Sequence, residues 1–146
     1  MIAYENAQTG YLVIGLLIVG LLMALSTLSL EYIGLHQYLV IVALIIALVL
    51  FYKLTVRVDR GIITCSFGQG VISKRILVKE LTGCRVVRTH WYEGIGIRLT
   101  TRGWMYNIGG NQAVELTYKS GKKFIIGSNE AETLCEVIEE EIQRFQ

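Results

Sequence analysis

The 146-residue sequence has no proline, only two histidines (His36 and His90) and only three cysteines (Cys65, Cys84 and Cys135), and 18% of its residues are charged against 53% hydrophobic. Three scattered cysteines without a C-x-x-C pair exclude a secreted disulfide scaffold, and the apolar periodic settings of Cys65 and Cys135 favour packing over redox or metal work. The two histidines fall on opposite sides of the topology derived below, which excludes a histidine-based zinc site or catalytic pair. No nucleophile elbow, P-loop or dinucleotide fingerprint is present, since Gly68-x-Gly70 and Gly94-x-Gly96 each lack the third glycine and the following helix. These absences argue against an enzyme and against any cofactor or metal.

Charge is also missing locally. Tyr11 to Leu30 carries none, a second uncharged run extends from Tyr38 to Tyr52 after Glu31, His36 and Gln37, and all 14 Lys and Arg lie between Lys53 and Arg144. A bilayer core about 30 Å thick needs about 20 apolar helical residues for one crossing. The runs therefore read as transmembrane helices over about 11–30 and 34–52. They divide the chain into an N-terminal tail with a membrane hairpin, 1–52, and a second domain, 53–146. A cleaved signal peptide is the rival for the first run, but Glu5 is the only charge before Tyr11 and the basic n-region is missing.

Lys53, Arg57 and Arg60 follow the second run at once, which places the domain, and with two crossings the N-terminus, on the cytoplasmic side of a multi-pass inner-membrane protein. Tyr4, Tyr11, Tyr32, Tyr38 and Tyr52 suit interfacial positions. Gly20 and Ala24 on one helix, and Ala43 and Ala47 on the other, are spaced to let the helices pack closely. No ionisable residue lies at mid-depth, which argues against a transporter or channel.

From Leu54 onward the period changes to alternation. Strands are expected over Leu54–Val58, Ile62–Phe67, Lys74–Val78, Arg85–Tyr92, Ile95–Thr101, Trp104–Ile108, Ala113–Tyr118 and Lys123–Ile126, separated by turn sequences such as Asp59-Arg60-Gly61 and Ser120-Gly121. One helix follows. Ser128 or Asn129 is its expected cap, with Glu132 in capping-box position, and Ala131, Leu134, Cys135, Ile138, Ile142 and Phe145 form its apolar stripe.

The strand-rich segment with Tyr92-Glu93-Gly94-Ile95-Gly96-Ile97-Arg98 in its middle, then Phe124-Ile125-Ile126-Gly127 and Asn129-Glu130 leading into a single helix, resembles the pleckstrin-homology-like domains of bacterial membrane proteins. That resemblance covers roughly Leu54 to Phe145. It implies two antiparallel sheets of about seven strands closed by a C-terminal helix, and relatives that serve as interaction platforms. The tryptophan common in the C-terminal helix of eukaryotic members is absent, as Trp91 and Trp104 both precede it. An OB-fold barrel is the structural alternative, but it would place a helix inside the strand order.

Charge is the informative class. Residues 53–128 hold 13 Lys or Arg against 4 acids, whereas residues 129–146 hold Arg144 against 6 acids. Lys74, Arg75 and Lys79 cluster, Arg85 and Arg88 share a strand, and Lys119, Lys122 and Lys123 crowd a hairpin. These eight form a candidate basic face for anionic lipid or a partner. The leading expectation is a non-enzymatic, membrane-anchored scaffold or regulator that binds a protein partner or its own copies. The alternative is anionic-lipid binding by the basic face. Nucleic acid is not expected, because basic and aromatic residues are not interleaved on a recognisable motif, and no small-molecule substrate is evident.

Overall fold

The computed structural model describes residues 2–28, 34–93 and 95–146. The chain opens with a strand, β1 (Ile2–Thr9), passes into helix α1 (Tyr11–Ser26), returns through α2 (Leu35–Phe51) and continues as β2 (Lys53–Asp59). β1 pairs antiparallel with β2 from Ile2 opposite Asp59 to Thr9 opposite Lys53. Where the strands give way to helices, the Gly10 N–H donates to the Tyr52 carbonyl at 2.9 Å. The helical hairpin is thus a direct extension of the β1–β2 ribbon, and the residues expected as a tail belong to a sheet.

No helix among the described residues is long and apolar enough to cross a membrane. α1 has 16 residues and α2 has 17, rises of about 24 and 26 Å against a hydrocarbon core of about 30 Å. Polar side chains end both helices early. Ser26 Oγ and Thr27 Oγ1 donate to the carbonyls of Met23 and Ala24 at 2.7 and 2.8 Å. Gln37, in the first turn of α2, accepts from the Gly34 N–H and donates to the Thr27 carbonyl, each at 3.2 Å. The expected transmembrane hairpin over 11–30 and 34–52 is therefore corrected. With it go the likeness to bacterial pleckstrin-homology-like membrane proteins carrying such a hairpin, the multi-pass inner-membrane placement, and the cytoplasmic assignment of the N-terminus and second domain. Leu30, Glu31, Tyr32 and Ile33, which entered that reading, lie outside the described residues.

The first sheet has the order β1-β2-β3-β4, with β3 Ile62–Phe67 and β4 Ile72–Leu77. The second has the order β5-β8-β9-β7-β6, with β5 Leu81–Arg88, β6 Gly96–Thr100, β7 Gly103–Asn107, β8 Gln112–Tyr118 and β9 Lys123–Gly127. β7 and β9 run parallel, with Trp104 opposite Phe124 and Tyr106 opposite Ile126. Nine strands among the described residues, with one parallel pair, replace the expected seven or so in purely antiparallel sheets. The strand expected to reach Tyr92 stops at Arg88, because the Glu93 carboxylate accepts from the His90 N–H at 2.9 Å and holds Trp91–Glu93 in a single helical turn.

Alternation makes the core. Leu54, Val56 and Val58 of β2 and Ile63, Cys65 and Phe67 of β3 join Val114 and Leu116 of β8 and Phe124 and Ile126 of β9 in one buried cluster. The β3–β4 turn is seated under the hairpin: a Cβ on Gly68, whose φ is +56°, would lie 2.6 Å from the Val49 carbonyl oxygen, so a side chain there is doubly excluded.

Helix α3 (Ala131–Phe145) closes one flank by packing on β5 and β8. Leu134 and Ile138 are fully buried and Ile142 nearly so, and each such side chain is worth about 1.5–3 kcal/mol. Asn129 does not cap this helix; its Oδ1 accepts from Asn6 Nδ2 of β1 at 2.8 Å, and Ser128 Oγ accepts from the Glu130 N–H at 3.1 Å. Glu141, on the same helix, is buried, its Oε2 accepting from the Gly61 N–H at 2.9 Å and its Oε1 from Arg144 at 2.8 Å. A disulfide between Cys84 of β5 and Cys135 of α3 ties the helix down. This corrects the expectation of three unrelated thiols; a separation of 51 residues hides the pairing from any local pattern.

Candidate functional site

β4 and β6 are edge strands, and the two sheets do not close between them. The gap there is a cleft of about 560 Å³ lined by Lys74, Arg75, Glu80, Trp104, Tyr106, Tyr118, Lys122 and Lys123, with Ile97, Ser120 and Phe124. A space of this size is ordinary for a small-molecule or peptide site, about 300–1,000 Å³.

Local structure explains why these residues meet. In the β3–β4 register Lys74 lies opposite Cys65, so it occupies the same face as buried Ile76 and is an inward-facing cation on an edge strand; such charges guard edges against further pairing. After β4 a single helical turn, Val78–Glu80, leads to β5, and the Lys119 N–H donates to the Glu80 carbonyl at 2.8 Å. That bond holds the β8–β9 turn beside the end of β4. The turn itself is closed by Tyr118 N–H to Lys122 carbonyl at 2.8 Å and Gly121 N–H to Tyr118 carbonyl at 2.9 Å. Lys122 is thereby presented to the same space as Lys74 and Arg75.

The opposite wall is aromatic. Trp104 and Tyr106 share one face of β7, and Tyr106 packs on Phe124 with ring centroids 5.0 Å apart and on Phe67 at 5.4 Å. Trp104 remains 51% exposed, an unusual state for a tryptophan on a core-facing position. Burial raises the phenol pKa of Tyr118, with the Glu80 carboxylate adding to the effect, and burial likewise raises that of Tyr106. Both phenols therefore keep their protons at neutral pH and can donate them to an acceptor.

Among the described residues Lys74, Arg75 and Lys122 have no ion-pair partner, whereas Lys123 is bound 3.0 Å from Glu115. Glu115 is only 1% exposed and also holds Arg85 at 2.9 Å. Lys79 and Lys119 line a neighbouring hollow that shares Glu80, Tyr118 and Ser120 with the cleft. The eight basic residues singled out in the sequence therefore divide. Lys74, Arg75, Lys79, Lys119, Lys122 and Lys123 converge on one end of the sheets, Arg85 is spent on Glu115, and Arg88 is exposed at the far end of β5. Of the small residues on the helices, Gly20 faces Leu44, Ala24 is half-buried, Ala43 is exposed, and Ala47 lines a second cavity described below.

The aromatic wall of Trp104, Tyr106 and Tyr118 was not visible in the sequence. Its signal is weak: two aromatics at alternate positions of one strand, followed across a turn by lysines. For metal, one group among the described residues, Cys84, Cys135 and Glu139, places three donor atoms within 4.8 Å of one another. The disulfide consumes both thiolates, which are the stronger ligands. No family model matches this chain, and no curated protein matches it in sequence.

Proposed function

We propose that the protein is a non-enzymatic binding module whose cleft receives the anionic group of a partner. The observation that carries this reading is that Lys74, Arg75 and Lys122, none of them ion-paired among the described residues, line one cleft with Trp104, Tyr106 and Tyr118 and with a single carboxylate, Glu80. Three cations against one carboxylate leave the lining with an excess of positive charge that an anionic ligand would balance. The single carboxylate of the lining, Glu80, has no second acid, histidine or thiol beside it in that lining, so no paired-carboxylate, histidine or cysteine constellation is formed there.

Titration calorimetry with a short acidic peptide and with butyl phosphate tests the reading. The double reversal Lys74→Glu/Arg75→Glu should weaken binding of whichever anion binds by tenfold or more, and Arg88→Glu, at the other end of β5, should leave it unchanged. Equal losses in both variants would reduce the effect to net charge and remove the site.

A second reading, self-association, is favoured by the hairpin. Leu12, Leu16, Val19 and Leu22 of α1 and Leu39, Val42, Ile46 and Val49 of α2 are all exposed, and clustered exposed apolar side chains of this kind mark interaction surfaces. Sedimentation of the full chain over a range of concentrations tests it. A concentration-dependent dimer that Leu16→Glu/Leu39→Glu dissolves supports it, and a monomer at every concentration rejects it.

A further inference from the structure

A second cavity, of about 370 Å³, lies where the hairpin meets the sheets, walled by Val13 and Leu17 of α1, Ala47 and Phe51 of α2, and Ile97 and Ile108. Among the described residues its lining holds no charged side chain and one polar one, Asn107. Ile97 lines both this chamber and the basic cleft. Phe67, which also lines the chamber, packs on Tyr106 of the cleft at 5.4 Å, and Phe51 packs on Phe67 at 5.4 Å. An aromatic row therefore runs between the chamber and the cleft, with an excess of cations at one end and, apart from Asn107, apolar side chains at the other.

A soluble anion would use the cleft and leave the chamber empty, and an uncharged hydrocarbon would do the reverse. Only a molecule with both parts satisfies the two cavities at once. We propose that the cleft and chamber form one site for an anionic amphiphile, its acidic head among Lys74, Arg75 and Lys122 and its alkyl chain passing Ile97 into the chamber beneath α1 and α2. This inference rests on the anion-binding reading of the cleft and adds the tail site to it. The head chemistry is common to a free alkyl phosphate or carboxylate and to an acidic phospholipid.

The test is calorimetry on the full chain with dodecyl phosphate below its micellar concentration, butyl phosphate, and dodecanol. Dodecyl phosphate should bind roughly 100-fold more tightly than butyl phosphate, as the burial of three or four methylenes gives. Ala47→Phe, which fills the chamber, should abolish that ratio while leaving butyl phosphate binding and the melting temperature unchanged, and Leu17→Phe provides the same test from the other helix. Lys74→Glu/Arg75→Glu should weaken both phosphates.

If butyl phosphate binds and the longer chain adds nothing, the amphiphile is overturned while the anion site stands. If neither phosphate binds, both readings fall. Dodecanol binding as tightly as dodecyl phosphate, or an acidic peptide binding where dodecyl phosphate does not, also overturns the proposal. Flotation with phosphatidylcholine vesicles with and without phosphatidic acid separates the sources. Given dodecyl phosphate binding, capture by acidic vesicles supports a bilayer lipid as the source and its absence supports a free amphiphile, whereas vesicle capture without dodecyl phosphate binding counts against the site.

Discussion

At the flank closed by α3, the buried carboxylate Glu141 is matched by the Gly61 N–H and Arg144, and a disulfide joins helix to sheet. At the flank between β4 and β6, Lys74, Arg75 and Lys122 line a cleft with an exposed tryptophan and only one carboxylate, Glu80, and none of the three is ion-paired among the described residues. Both flanks are edges of the same two sheets, so the difference is not one of fold. One edge is satisfied internally and contributes to stability. The other is left open, which is the expected signature of an edge selected for something other than stability.

The largest effect should come from breaking the closed flank. Ile138 is fully buried in the α3 stripe, and Ile138→Asp both removes its packing and buries an unpaired carboxylate, a loss of about 3–5 kcal/mol. Against a total of about 5–15 kcal/mol this should remove a large share of the stability and lower the melting temperature steeply, whereas Glu139→Lys on the exposed face should hardly move it. A protein that keeps its melting temperature and protease resistance with Asp at 138 would show that α3 does not close the core.

Next is the cross-link. Closing a loop across 51 residues of separation stabilises a chain by about 4 kcal/mol on the chain-entropy estimate, and by about 2–4 in typical cases. Reductant should lower the denaturation midpoint of the natural chain by a corresponding amount and have no effect on Cys84→Ser/Cys135→Ser. An unchanged midpoint would mean that packing alone holds the helix. The effect should be confined to stability, since neither cysteine lines the cleft.

A smaller effect sharpens the contrast from within the core. Cys65 lies opposite Lys74 in the β3–β4 register but is fully buried, and burial pushes its thiol from 9.0 up to about 12. Above pH 9 the unfolded chain releases this proton and the folded chain does not, so the folded state binds more protons and stability falls as pH rises from 9 towards 12. Below pH 9 the group contributes no slope. Urea titrations at pH 8 and pH 10 should show a decrease in the natural chain that is reduced in Cys65→Ala. Identical slopes in the two proteins would place Cys65 in contact with water.

How much of this was legible in the sequence differs by element and has physical causes. Alternation and turn residues mark β2, β3, β8 and β9 because each has one buried face, and the α3 stripe is explicit for the same reason. β1 was missed because its half-buried positions are Tyr4, Asn6 and Gln8, two of them polar, so no apolar alternation exists to read. The uncharged runs overstate the helical hairpin because an absence of charge does not separate helix from turn, and Ser26, Thr27 and Gln37 end the helices with side-chain hydrogen bonds. The cations of the cleft could be named from the sequence but not grouped. Their convergence depends on the bond from Lys119 to Glu80 and on the open edge between β4 and β6, neither of which has a sequence pattern.

The smallest expected effect is the one that most directly separates the two flanks. Surface substitutions away from special features usually change stability by no more than about 0.5 kcal/mol. If Lys74, Arg75 and Lys122 were an ordinary solvated surface, Lys74→Glu would fall anywhere within that range and would not depend on its neighbours. In the cleft, however, three cations share a space with the single carboxylate Glu80, and a glutamate at 74 would convert net repulsion into attraction. Lys74→Glu should therefore raise stability slightly, by up to about 0.5 kcal/mol at low ionic strength, and the gain should fade as salt rises and the Debye length falls to about 8 Å. The same variant should lose anion binding. A gain in stability paired with a loss of binding is what an open, functional edge predicts, whereas a loss of both would mean that Lys74 holds the edge together and that the cleft belongs with the closed flank.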